Sequence, residues 1–148
     1  MNWKTRIVGC AAAILTAGMM MAGTATASLA GVVAHVDLSS QRMHVKVNGR
    51  HYASWKISSG RKGYRTPTGT WRPKWTTKMH YSRKYYNSPM PYSVFYHGGY
   101  AVHGTNYVSR LGRPASHGCI RLHTANARKF YNLVNRYGRK NTLIKVRY

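Results

Sequence analysis

Apolar residues fall at strand-like spacing over residues 32–38 and 42–47, and Asn48-Gly49 then supplies a tight hairpin turn into a third apolar-rich run at residues 52–57. The domain therefore opens as a β-meander. Residues 58–69, rich in Gly, Ser, Thr and Pro, read as a loop, and residues 70–75 as a further strand. Residues 76–91 are polar, basic and aromatic without a clean period, a long connection of the kind that often carries binding function. Residues 92–96 and 100–103 flank His97-Gly98-Gly99, which predicts a second hairpin with Ala101 and His103 on one face. Residues 104–118 read as a loop punctuated by Gly112, Pro114 and Gly118. One helix follows, with Thr124 as its cap, apolar residues Ala127, Phe130, Tyr131, Val134 and Tyr137 at helical spacing, and Gly138 as its stop. A last strand covers residues 142–146. The pattern predicts a mainly β fold, a sandwich or distorted barrel with one helix after Cys119.

The chain begins differently. Lys4 and Arg6 precede an apolar run over residues 7–23, and Ala25-Thr26-Ala27 supplies a small-x-small site, so residues 1–27 read as a secretory signal cleaved after Ala27. An uncleaved signal anchor is the alternative, since such a run can just span a bilayer. The triplet Val8-Gly9-Cys10 hints at a lipoprotein signal, but it sits at the start of the apolar run rather than after it. Residues 28–148 then form a single domain, expected in the periplasm or cell wall. Cleavage removes Cys10 and leaves Cys119 as the only thiol, unable to form an internal disulfide. An unpaired thiol in an exported protein is an intermolecular partner, an inert buried group or a nucleophile.

Charge narrows the chemistry further. The chain carries 24 Lys and Arg against a single acidic residue, Asp37, and loss of Lys4 and Arg6 takes the formal net charge from +23 to +21. Such a surface seeks polyanions. A cytoplasmic protein would find nucleic acid; an exported one meets anionic wall polymers, acidic lipid head groups and carboxylate-bearing peptides, so no nucleic acid partner is expected. The same charge can equally serve location and solubility alone. One carboxylate cannot run a two-carboxylate glycosidase, a glutamate-dependent zinc peptidase or an EF-hand.

The informative stretch runs from Ala101-Val102-His103-Gly104-Thr105 to Ser116-His117-Gly118-Cys119-Ile120-Arg121-Leu122. A thiol becomes a strong nucleophile when an imidazole takes its proton, and the coming helix start adds a favourable dipole. His117 lies two residues from Cys119 and could approach the sulfur, but His103 ends a separate strand, which fixes an imidazole better than a loop beside glycine. His103 is therefore the expected base. His117 would line the site, and amides around Gly118 and Cys119 could form an oxyanion hole. With no acid nearby unless Asp37 folds back, the imidazole's acceptor is expected to be a carbonyl or a hydroxyl such as Ser116. Two alternatives remain: His103 and Cys119 as packing residues, or zinc held by His97, His103, His117 and Cys119 or His123, whose spacing fits no common template. His35, His44, His51 and His80 read as surface or pH-dependent residues. No cofactor or metal is expected.

His103, an interval and then Ser116-His117-Gly118-Cys119 resembles the catalytic signature of the L,D-transpeptidases, the YkuD-like family. Asp37 to Gln41, Asn48-Gly49, Ser59-Gly60, Thr66-Pro67-Thr68-Gly69 and Met90-Pro91-Tyr92 resemble that family's landmarks in the same order. The resemblance implies a β-rich catalytic domain acting on peptidoglycan stem peptides. Cys119 would attack the carbonyl of the third residue, expel the fourth, D-alanine, and hold an acyl-enzyme. A side-chain amine of a neighbouring stem would resolve it as a 3→3 cross-link, with His103 carrying the protons. Carbapenems would inhibit by acylating the cysteine. Some members carry Asn where this chain has Arg121, whose guanidinium can pair with a substrate carboxylate. Tyr92 matches an aromatic of the loop covering the site and would contact the peptide or pack within the lid. Water or another amine as acceptor would make the domain a carboxypeptidase or exchange enzyme, and a noncatalytic basic wall-binding module would keep the fold without the reaction.

Overall fold

The computed structural model describes residues 31–148; the apolar segment read as a signal lies outside the described residues. The predicted meander forms as β1 (Val32–Asp37), β2 (Arg42–Val47) and β3 (Arg50–Lys56). Asn48 and Gly49 both take positive φ, 50° and 77°, the backbone that a two-residue hairpin turn requires. The final strand β9 (Thr142–Arg147) pairs parallel to β1 and antiparallel to the short β4 (Gly69–Trp71), giving a five-stranded sheet ordered β3-β2-β1-β9-β4. Pro73 stops β4 well before residue 75, because proline cannot donate to the ladder.

A second sheet, ordered β5-β6-β7-β8, holds β5 (Trp75–Ser82), β6 (Ser88–His97), β7 (Tyr100–Thr105) and β8 (Ile120–His123). Here the sequence reading needs correction, since residues 76–91 are not a connection but most of a long antiparallel hairpin, β5 against β6. Trp75, Met79 and Tyr81 alternate with polar residues, but no residue of β5 is fully buried, so the alternation marks no core face and the basic and aromatic composition masks the strand. Alternation in β6 is also interrupted: Met90 and Phe95, five residues apart, pack in one cluster, and between them Tyr92 takes φ 53°. The strand β8 was likewise unforeseen.

The sheets enclose one core, in which Val36, Met43, Val45 and Ile144 from the first sheet and Val94, Val102, Ile120 and Leu122 from the second are almost wholly excluded from water. Each such side chain contributes roughly 1.5–3 kcal/mol by burial. The helix α1 (Thr124–Tyr137) packs mainly on β6 and β7 and inserts Ala127, Phe130 and Val134 into this core. Gly138, at φ 89°, ends it as expected. Its cap is not Thr124 but His123, whose ring nitrogen accepts from the Ala125 amide at 3.2 Å. The fold is the β-sandwich with a helix after Cys119 that the pattern predicted.

Candidate active site

The strands β7 and β8 run parallel, with His103 paired to Arg121 and Val102 to Ile120. Continuing this register places Cys119, at the entrance to β8, level with Ala101, against which it packs. Alternation then turns Ala101, His103, Cys119 and Arg121 to one face. That face floors a cleft of about 960 Å3, and His103, Cys119 and Arg121 all line it. The β5–β6 hairpin supplies one wall.

The segment before Cys119 is braced from below. Ala115 and Ser116 both donate their amides to the Ser59 carbonyl at 2.8 Å, Arg61 donates to the Ser116 carbonyl at 3.0 Å, and Ser58 and Arg121 exchange backbone hydrogen bonds. Ser59 is held in turn by Gln41, whose side-chain amide donates to its hydroxyl at 2.7 Å and whose carbonyl accepts from its backbone at 3.0 Å. The buried chain Gln41–Ser59–Ser116 therefore sets the loop's position. Residue-type reasoning missed it, although Gln41 and Ser59-Gly60 had stood among the family landmarks.

Ser116 is buried and donates to the Cys119 carbonyl at 2.6 Å while accepting from the Gly118 amide at 3.0 Å. It holds the turn around the cysteine rather than the imidazole, and it occupies one of the amides expected to form an oxyanion hole. Gly118 is required there: φ is 112°, and a Cβ would lie 2.5 Å from the Tyr100 ring. His117 lines the cleft, stacked on Tyr85 and edge-on to Tyr64, at centroid distances of 4.2 and 4.6 Å.

His103 is buried, and its Nδ1 lies 2.7 Å from the Gly104 carbonyl. A carbonyl only accepts, so Nδ1 carries the proton and Nε2 keeps its lone pair. Burial pushes the imidazole down to about 4, against the raising influence of that hydrogen bond and with help from the Arg121 charge, so the ring is neutral at pH 7. Burial also raises the Cys119 thiol above its ordinary value; the Ala101 backbone and Arg121 oppose the rise. The resting pair is thiol and neutral imidazole. Asp37 stays on the β1–β2 turn, where Ser39 and Ser40 hold its carboxylate, so the carbonyl of Gly104 is the imidazole's orienting group.

One expected participant lies elsewhere, and one alternative finds no support in the geometry. Tyr92 does not line the cleft: its positive φ turns it to the core side, where it packs on Tyr131 of α1 at 5.8 Å. The zinc alternative lacks a ligand set, because no three His, Cys, Asp or Glu side chains converge among the described residues, and His97 stacks on Trp71 at 4.9 Å. Conversely, His80 is no surface residue of general kind. It lines the cleft beside the stacked pair Trp75 and Phe95, whose centroids are 3.9 Å apart. Arg61, Lys84, Tyr107 and Arg110 join it there without any sequence signal beyond their charge and aromaticity.

Fold and site together define a two-sheet domain built around a thiol and a neutral imidazole that share one cleft. Residues 31–146 match the family model of the L,D-transpeptidase catalytic domain, YkuD. The chain belongs to that family. Among solved structures it is similar to an L,D-transpeptidase from Stackebrandtia nassauensis, at 26% identity and a TM-score of 0.70, covering 80% of this chain and 56% of that one. It is similar also to the L,D-transpeptidase of Xylanimonas cellulosilytica, at 26% identity and 0.66, covering 80% and 61%. L,D-transpeptidase 3 of Mycobacterium tuberculosis, in complex with a faropenem-derived adduct, shares the fold at 21% identity and 0.71, covering 80% and 60%. The chain thus spans about three-fifths of the length of these structures. No curated protein matches it by sequence.

Proposed function

We propose that this domain is an exported peptidoglycan L,D-transpeptidase that works through an acyl-enzyme on Cys119. The observation that carries the reading is the fixed tautomer of His103: with Nδ1–H committed to the Gly104 carbonyl, Nε2 is left as the free base of an imidazole that lines the same cleft as Cys119, the one cysteine among the described residues. Family membership supplies the substrate class. The Cys119 sulfur attacks the carbonyl of the third stem residue as its proton passes to His103 Nε2. That proton then goes to the leaving D-alanine nitrogen, and a thioester remains. A side-chain amine of a second stem attacks the thioester, gives its proton to Nε2, and the expelled sulfur recovers it as thiol. Because both resting groups are neutral, proton transfer accompanies attack rather than preceding it.

The developing oxyanion falls to the Cys119 amide, since Ser116 already engages the amide of Gly118. His117, stacked on Tyr85 and edge-on to Tyr64, shapes the cleft lining, and the Arg121 guanidinium offers a partner for a substrate carboxylate. Export to the periplasm or cell wall puts the basic surface among anionic wall polymers and membrane head groups. The test is mass spectrometry of the protein after incubation with a carbapenem and with a defined tetrapeptide stem. Wild type should gain both acyl adducts, release D-alanine and form 3→3 dimers, whereas Cys119→Ala gains neither adduct. Shortened stems without dimers would make it a carboxypeptidase, and a correctly folded wild type with no adduct would make it a binding module.

A further inference from the structure

The cations of the cleft have no counter-charge. Arg61, Lys84 and Arg121 line it together, and each rests over an aromatic ring instead of a carboxylate: Arg61 over Tyr64 at 4.6 Å, Lys84 over Tyr85 at 5.6 Å and Arg121 over Tyr107 at 5.7 Å. Arg83 and Arg110 line the cleft as well. The single acidic residue, Asp37, is spent on Ser39 and Ser40 at the far turn. Arg121 is half-buried, and among the described residues its guanidinium has one acceptor, the Ala115 carbonyl at a long 3.4 Å. Partly buried guanidinium without an anion is costly, and like charges beside it add to the cost. The effect is visible in the neighbours, since Arg61, Arg121 and Lys84 all help burial to hold His117 below its ordinary value. A ligand that brings carboxylates to this place relieves the repulsion and gains charge-assisted hydrogen bonds.

We infer that the cleft selects donor stems whose carboxyl groups are free, and discriminates against stems in which they are amidated. The inference rests on the transpeptidase reading and adds to it a chemical class of donor. A tetrapeptide stem brings three carboxyls near the bond that Cys119 attacks: that of the leaving D-alanine, free in every donor, and those of the second residue and the diamino acid, which can be amides. Three cations line the cleft for them, Arg121 two residues from the nucleophile and paired with His103, and Arg61 and Lys84 beside it.

The test compares two tetrapeptide stems that differ only in carrying free carboxyls or carboxamides at those two positions. The reading is the rate of D-alanine release and of thioester formation on Cys119 at low ionic strength. The free-acid stem should react at least about tenfold faster, equivalent to ~1.4 kcal/mol, and salt should shrink the difference. Arg121→Gln and Arg61→Gln, checked for folding by thermal denaturation, should each narrow the ratio. Lys46→Gln, which removes the same charge from the exposed face of β2, should leave it intact. Equal rates for the two stems overturn the inference and spare the transpeptidase reading. So does a ratio that Lys46→Gln erodes as much as Arg121→Gln, which would make bulk charge the cause. Reaction with neither stem removes both.

Discussion

The two sheets of this domain solve different problems. In the first, β1 and β9 alternate buried and half-buried residues without a break, and every fully buried position is apolar or, like Thr142, hydrogen-bonded. In the second, the face away from the core is not left to water but floors the cleft, and it carries His80, His103, Cys119 and Arg121. Its regularity suffers accordingly: β6 is interrupted at Tyr92, β6 and β7 shift register after Phe95, and the Tyr96 hydroxyl is buried without a hydrogen-bond partner among the described residues. The first sheet breaks its register once, between Val45 and Lys46 of its edge pair β2–β3, and keeps its period in the central strands. The second, whose outer face lines the cleft, breaks it in its middle strands.

The largest expected effect falls on the reactive sheet. Replacing His103 with Gln should lower the acylation rate by stem peptide about 10²–10⁴-fold, the usual range for loss of a general base. Alkylation by iodoacetamide near pH 7, below the raised thiol titration, should barely change, because the resting sulfur is a thiol and not half of an ion pair. Equal collapse of both rates would show instead that His103 creates a thiolate at rest. The counterpart in the first sheet is Ile144→Ala. Ile144 is fully excluded from water between Ala34 and Trp71, so about 2–5 kcal/mol of stability should be lost. Acylation below the lowered Tm should persist, and its loss would mean that the sheets are not separable in this way.

The contrast also explains what could be read from the chain. The meander, the Asn48-Gly49 turn, the helix with its Gly138 stop and the last strand all depend on local period and turn chemistry, which single residues announce. The β5–β6 hairpin was missed because Trp75, Thr77, Met79 and Tyr81 do not bury a face; long-range pairing to β6 makes the strand. Cys119, His103, Ser116, His117 and Arg121 could be placed by residue type and family signature. The Gln41–Ser59 brace and the cations of Arg61 and Lys84 could not, since they meet the site only across the fold.

Acid should expose the same asymmetry. His103 titrates near 4 when folded and near 6.5 when unfolded, so the unfolded chain binds the extra proton as pH falls through that window. Its stabilising contribution is complete above about 6.5 and is lost toward 4, on the order of 3 kcal/mol. His35 and His117, also held low by burial and neighbouring cations, act in the same direction. Urea midpoints measured from pH 8 to 4 should therefore fall, with a smaller slope in His103→Gln; an unchanged slope would mean that His103 is not the neutral, buried group on which the reaction scheme depends.

The smallest effect lies where the reactive sheet ends. His123 closes β8 and caps α1 through its ring nitrogen, whereas the Thr124 hydroxyl reaches back 3.5 Å to the Thr105 carbonyl and leaves the helix amides alone. Removing a capping acceptor costs typically ~1 kcal/mol. Thus His123→Ala should lower the Tm by a few degrees, and Thr124→Ala should lower it less, because its hydrogen bond is long and half-buried. The reverse order would restore Thr124 as the cap and shorten β8. It would also loosen the link between the helix and the strand that carries Arg121, so the pair of variants reports how rigidly α1 anchors the cleft floor.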